Sequence, residues 1–133
     1  MRDIIEKYVG MEYKHRGGEG TVDCLSLVVS FLRDNGIYLP DDDGKKIENN
    51  WYVKDPGRFV RELSKYANIV AAAEIQTLDI VIFELQGIPR HAGVVVDRNK
   101  FIHAREGRKV AVTRLKHYQK YLHSIWRVER EVN

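Results

Sequence analysis

Arg90-His91-Ala92-Gly93-Val94-Val95-Val96-Asp97-Arg98-Asn99-Lys100-Phe101-Ile102-His103-Ala104 is the stretch whose reading decides both the fold and the site. Two runs rich in branched and aromatic residues, Ala92 to Val96 and Lys100 to Ala104, flank a polar turn, which is the pattern of a β-hairpin. Loop length sets the register, and register sets which histidines share a face. A two-residue loop at Arg98-Asn99 puts His103 opposite Val94 and sends His91 to the other face. A three-residue loop, Asp97 to Asn99, puts His103 opposite Gly93. His91 and His103 are then diagonal neighbours, about 7–8 Å apart at the backbone. Three-residue loops often end in a left-handed residue, a conformation that Asn tolerates. The three-residue loop is therefore the expectation.

Outward from the hairpin, the rest of the chain after residue 75 also has strand period. Asp79 to Leu85, Lys109 to Thr113 and Ser124 to Glu129 read as further strands. The first half has helix period instead. Asp3 to Val9 reads as a short helix ended by Gly10. Cys24 to Asn35 reads as a helix capped by Asp23 and stopped by Gly36. Its apolar residues Cys24, Leu25, Leu27, Val28, Val29, Phe31 and Leu32 cover most of its circumference, so it belongs inside the domain. A third helix is expected from Pro56 to Ala67, capped by Asp55, with Phe59, Val60, Leu63 and Tyr66 as its buried stripe. Helices first and strands after, joined by short turns, argue for an α+β fold with an antiparallel sheet.

Cys24 stands at the first turn of the buried helix, where peptide dipoles place partial positive charge and favour a thiolate. A lone cysteine is more commonly a small core residue. The company it keeps changes the reading: a glycine-rich loop, Arg16-Gly17-Gly18-Glu19-Gly20, leads toward the helix, and two histidines lie on downstream strands. A thiol, a base and a group that orients the base make a cysteine hydrolase. In that scheme His91 takes the thiol proton and later protonates the leaving amine, and a protonated His91 adds to the pull on the thiolate. His103 holds the His91 ring. The site is expected to line an open groove.

The residues also resemble a family. Gly10-Met11-Glu12-Tyr13-Lys14-His15-Arg16-Gly17-Gly18 followed by Asp23-Cys24-Leu25-Ser26-Leu27-Val28 is similar to the nucleophile region of NlpC-type cell-wall peptidases. Leu78-Asp79-Ile80-Val81-Ile82-Phe83, His91-Ala92-Gly93-Val94-Val95 and Phe101-Ile102-His103-Ala104 resemble three later blocks of that family, in its order. The resemblance implies a papain-like fold, with N-terminal helices on an antiparallel sheet and the catalytic cysteine at a helix start. It implies hydrolysis of an amide in peptidoglycan stem peptides, of the γ-D-glutamyl-diamino acid type, with Cys24, His91 and His103 catalytic. Tyr13 matches a residue lining the substrate groove, and Asp23 one that meets a substrate amine in some members. Leu25 and Ser26 depart from the Ser-Gly that follows the cysteine in many cell-wall members. With Gly36-Ile37-Tyr38-Leu39-Pro40 they look more like the phage-tail and prophage branch. Proteins of a phage tail or of the cell envelope are then the expected partners.

Composition bounds the alternatives. The chain has 133 residues, 44% hydrophobic and 31% charged, which suits one globular domain spanning residues 1–133. Apolar runs stop after a few residues, far short of the about 20 that a membrane helix needs. Acidic residues interrupt the N-terminus, so no secretory signal peptide is read there. Cytoplasmic residence, carriage in a tail, or export by another route is the corresponding expectation. One cysteine excludes an intrachain disulfide. The net charge is +3, and residues 100–133 carry nine Lys or Arg against three Glu. No DNA- or RNA-binding motif accompanies that excess, so nucleic acid is not an expected partner. Cys24, His91, His103 and His15 are usable zinc ligands, yet no Cys-x-x-Cys or His-x-x-x-His pair seeds a site. Neither metal nor cofactor is called for. The competing readings are a non-catalytic assembly or binding module on the same fold and, further off, a metal-binding protein. His15, His117 and His123 read as surface or packing residues, Trp51 as burial against the third helix, and Asp41 to Asp43 as a solvated turn.

Overall fold

The computed structural model describes residues 1–13, 21–22, 24–39, 58–105 and 107–128. Asp23, His15, Asp41 to Asp43, Trp51, Asp55 and Pro56 lie outside the described residues. Chain order begins with helix α1 (Arg2–Tyr8), the short strands β1 (Glu12–Tyr13) and β2 (Thr21–Val22), and helix α2 (Cys24–Asp34). Helix α3 (Arg58–Leu63) and strand β3 (Ala67–Ile69) follow. The chain then forms β4 (Ile80–Leu85), β5 (Ile88–Asp97), β6 (Lys100–His103), β7 (Ala111–Arg114) and β8 (Leu122–Val128). Strands β3 to β8 form one six-stranded sheet in the order β3-β8-β4-β5-β6-β7, antiparallel at every described pairing. The α+β reading with an antiparallel sheet holds.

Helix α2 forms where the apolar run requires it. Leu27, Val28, Phe31 and Leu32 are fully buried. It ends in a Schellman motif: Gly36 takes φ +85°, its N–H donates to the Arg33 carbonyl (2.9 Å), and Ile37 N–H donates to the Leu32 carbonyl (2.8 Å). Glycine enters that left-handed region without strain, and Ile37 beyond it is buried in the core. Helix α1 is held to the far end of α2 by Asp34, whose carboxylate accepts from Tyr8 Oη (2.6 Å) and Lys7 Nζ (2.9 Å). These two donors hold the Asp34 carboxyl below its usual range against the opposing effect of desolvation.

The sheet has a core on each face. Ile80, Ile82, Ala92, Val94, Ile102 and Ala104 pack with the buried side of α2. Val81, Phe83, Val95, Phe101 and Ile125 form the second core, covered by Val70, Ile75, Leu115, Tyr118 and Leu122. Arg127 locks β8 to the start of β4: its Nε and Nη2 donate to Asp79 Oδ1 (2.9 Å) and Oδ2 (3.0 Å), and Asp79 is buried.

Two expectations change. The third helix stops at Leu63 instead of Ala67. Lys65 N–H and Tyr66 N–H already make i→i−3 bonds, to Glu62 and Leu63, and Ala67 is drawn into pairing with Val128. Tyr66 is thereby turned to solvent, 42% exposed, and is not part of a buried stripe. The strand expected over Lys109 to Thr113 runs instead from Ala111 to Arg114, because Val110 exchanges backbone bonds with Gly10 and Met11.

Candidate functional site

Cys24 is the first residue of α2, an 11-residue helix, so its thiol sits at the positive end of the helix dipole. The side chain is buried, and Sγ donates to the Arg90 carbonyl oxygen at 3.8 Å. That carbonyl is available because Arg90 is a bulge. Phe83 pairs with His91 and Glu84 with Pro89, which leaves Arg90 with no opposite residue on β4. Bulges re-aim side chains and carbonyls near functional sites. The thiol thus meets the sheet one residue before His91.

The two histidines are brought together. His103 pairs with Gly93, as the three-residue loop requires, but the loop itself differs. Asp97 pairs with Lys100, so the turn has two residues, Arg98 and Asn99, and the extra residue is a bulge at Val96. The bulge restores the register that a regular two-residue hairpin would have shifted. Asn99 N–H donates to Asp97 Oδ1 at 2.7 Å, so the side chain of Asp97 closes the tight turn. Gly93 is the second requirement. A Cβ there would lie 2.7 Å from the Ile102 carbonyl oxygen and from Phe101 Cδ2, and 3.2 Å from His103 Cβ. The missing side chain leaves room for the Phe101 ring and for β6 to close against β5 beside His103.

His91 Nε2 and His103 Nδ1 are 2.8 Å apart and share one proton. His103 Nε2 is 2.9 Å from Thr113 Oγ1 on β7. The rings are set among aromatic neighbours on the second face of the sheet. Phe83 lies 5.8 Å from His91, Phe101 lies 4.4 Å from His103, and Tyr118 lies 5.2 Å from His103, all between ring centroids. His91 is 4% and His103 5% exposed, so the open groove expected around them is not what surrounds the pair. Burial pushes the His91 pKa down to about 3, and the charges of His103, Arg105 and Arg90 add to the effect. His103 is pushed down to about 4 by burial and then by Arg105. Both rings are therefore neutral at pH 7. A protonated His91 does not help hold a thiolate in this resting site, and the helix N-terminus remains as that influence.

Of the other sequence candidates, Tyr13 is half-buried on β1 and packs at the margin of the core shared with α2. His117 and His123 are exposed. Among the described residues no three His, Cys, Asp or Glu side chains converge as metal ligands. No described helix is long and apolar enough to cross a membrane. Thr113, Tyr118 and Arg105 were not singled out for the site. Thr113 reaches the pair through strand pairing and Tyr118 from between two 3₁₀ turns, which no local motif announces, while Arg105 follows His103 by two residues.

Residues 10–127 match the NlpC/P60 family. No curated protein sequence matches the chain. Among solved structures, the chain superposes on a Staphylococcus aureus Mu50 protein described as similar to lipoprotein, NLP/P60 family. The TM-score is 0.69 with 20% identity, over 98% of this chain and 40% of that one. NlpC2 of Trichomonas vaginalis gives 0.68 with 19% identity, over 94% of this chain and 45% of that one. The NlpC/p60 domain of the peptidoglycan hydrolase SagA gives 0.64 with 14% identity, over 97% of this chain and 95% of that one. The chain thus spans less than half of the first two relatives, and at these identities the likeness establishes the papain-like fold.

Proposed function

The chain belongs to the NlpC/P60 family, a family of cysteine peptidases and amidases, and from that premise we propose that it hydrolyses an amide bond in peptidoglycan stem peptides. Cys24 is the nucleophile, His91 the general base and acid, and His103 the residue that orients His91. The observation that carries this reading is the 2.8 Å contact between His91 Nε2 and His103 Nδ1, set beside the strand residue that the Cys24 thiol touches.

The hydrogen bonds suit one direction of proton flow. For His91 to accept the thiol proton at Nδ1, its own proton must sit on Nε2 and be donated to His103 Nδ1. The His103 proton then sits on Nε2 and is donated to Thr113 Oγ1. A neutral His91 is the form a base needs, and burial supplies that form. Sulfur attacks the amide carbonyl as the proton passes to His91. His91 returns that proton to the nitrogen of the leaving amine, and the C–N bond breaks to give a thioester on Cys24. Water, deprotonated by His91, then releases the carboxylate and regenerates the thiol.

The bond we assign is the one between D-glutamate, linked through its side-chain carboxyl, and a diamino acid, with Tyr13 and Asp23 contacting substrate. Leu25 after the cysteine and the Gly36 to Pro40 segment support placing the chain in the phage-tail or prophage branch, with tail or envelope proteins as partners. Burial of Cys24, His91 and His103 favours a second reading, a non-catalytic assembly module. One experiment separates the two. The protein and a Cys24→Ala control are incubated with purified peptidoglycan fragments, and new amines are sought by mass spectrometry. Hydrolysis by the parent alone supports the enzyme; equal silence of both supports the module.

A further inference from the structure

A cleft opens beside the histidine pair. It encloses about 520 Å³, and its walls include Gln86, Arg90, Arg105, His117, Tyr118 and Tyr121. Tyr118 is the wall shared with the site: its ring lies 5.2 Å from His103 and 6.4 Å from His91. Arg105, two residues beyond His103, is fixed against that wall. Its Nη1 donates to Tyr118 Oη, and its guanidinium carbon lies 5.6 Å from the centre of the Tyr118 ring. Arg90, also in the lining, donates from Nη1 to Gln86 Oε1 at 3.3 Å. Arg90 and Arg105 thus line one cleft, and none of its described lining residues is a carboxylate. Among the described residues, no Asp or Glu forms an ion pair with Arg105.

A preoriented guanidinium presents paired N–H donors in the geometry that a carboxylate accepts. An aromatic wall whose hydroxyl accepts from the guanidinium and whose ring lies beside it removes much of the freedom Arg105 would otherwise lose on binding. We propose that this cleft binds a carboxylate of the substrate, with Arg105 as its principal ligand, so that the protein selects acidic peptides whose free carboxylate lies close to the amide being cut. The inference rests on the peptide-amide reading above and gives that site its specificity. In a peptide linked through the side-chain carboxyl of glutamate, the α-carboxylate is left free a few bonds from the reacting carbonyl. The same residue with its α-carboxyl converted to an amide offers no charge to Arg105. The field of Arg105 already reaches both histidines and lowers their pKa values, so an anion seated on it must be felt at His103 as well.

Two measurements test this and fail separately. In the first, Cys24→Ala protein with labelled histidines is titrated with glutarate and followed by NMR. Glutarate should shift the His103 resonances saturably and raise its pKa, because the bound anion offsets the Arg105 charge. Arg105→Gln should abolish the response, and Arg105→Lys, which keeps the charge, should retain part of it. A response unchanged in Arg105→Gln, or none in the Cys24→Ala protein, overturns the proposal. In the second, the parent is given two peptides that differ only in a free α-carboxylate or a carboxamide beside the same γ-linked amide. The carboxylate should be preferred in kcat/KM by roughly 10- to 100-fold, as expected of a charge-assisted contact, and Arg105→Gln should level the two. Turnover of both peptides at equal rates, without glutarate binding, ends the cleft proposal and leaves the hydrolase standing. Glutarate binding through Arg105, with neither peptide cut, supports the anion cleft and removes the hydrolase.

Discussion

Acid should destabilise this protein in a way that two residues account for. His91 and His103 are neutral in the fold because burial holds their pKa values near 3 and 4, whereas in the unfolded chain an imidazole titrates near about 6.5. The unfolded state therefore binds more protons than the native state at every pH between those values. Stability from this source is fully present above about pH 6.5 and is lost as pH falls toward the native values. Between pH 6 and pH 5 each histidine costs nearly a factor of ten in the folding constant. Together they cost about sixty-fold, or roughly 2–3 kcal/mol. Against a total of about 5–15 kcal/mol that is a large share. In urea it should lower the midpoint by about 1–2 M, given a slope of roughly 1–3 kcal/mol per M. The assay is urea unfolding of the parent and of a His91→Gln, His103→Gln double variant at pH 7, 6 and 5. Most carboxylates stay ionised over that range, so the parent should lose far more stability than the variant. Equal losses, or His91 and His103 resonances that titrate near pH 6.5 in the native state, would refute the argument.

Three further outcomes follow from particular contacts. Gly93→Ala should weaken the fold by about 1–3 kcal/mol and disturb the histidine contact, because its Cβ would meet backbone at 2.7 Å; thermal melting and the His103 NMR shift check this. Arg127→Ala leaves the buried Asp79 carboxylate without its bidentate partner and should cost about 3 kcal/mol, at the low end for a buried pair because the arginine is 38% exposed; chemical denaturation measures it. Thr113→Val removes the acceptor at His103 Nε2 while nearly keeping the side-chain volume. It should lower kcat about tenfold with little change in KM, and Thr113→Ser should restore most of it.

Much of this was legible in the chain, and the reasons are local. Helix α2 declares itself through an apolar surface nearly all round, and Gly36 marks its end because the Schellman turn needs a positive φ. The β4, β5, β6 and β8 runs announce their strands through branched and aromatic residues. The His103–Gly93 pairing was reached through a loop of the wrong length. The number of residues in the turn and the bulge at Val96 offset each other, and a bulge has no sequence signature of its own. The same holds for Arg90, whose bulge presents its carbonyl to Cys24. Ala67, where β3 begins, reads as the end of a helix because its partner Val128 lies far along the chain. Thr113 and Tyr118 come to the histidines across β7 and the 3₁₀ turns that follow it, so no spacing rule points to them; Arg105 follows His103 by only two residues, but no motif marks it. Burial of the pair was missed because the second core forms only when the turns after β7 fold back over the sheet.

Hydrolysis at this site depends first on Cys24 as the nucleophile. The direct measurement is to quench the protein with acid during turnover of a γ-D-glutamyl-diamino acid peptide and weigh the intact chain and its Cys24 fragment. An adduct with the mass of the acyl half of the peptide is expected on Cys24, and neither adduct nor amine release with Cys24→Ala. Amine release by Cys24→Ala at the parent rate would contradict it.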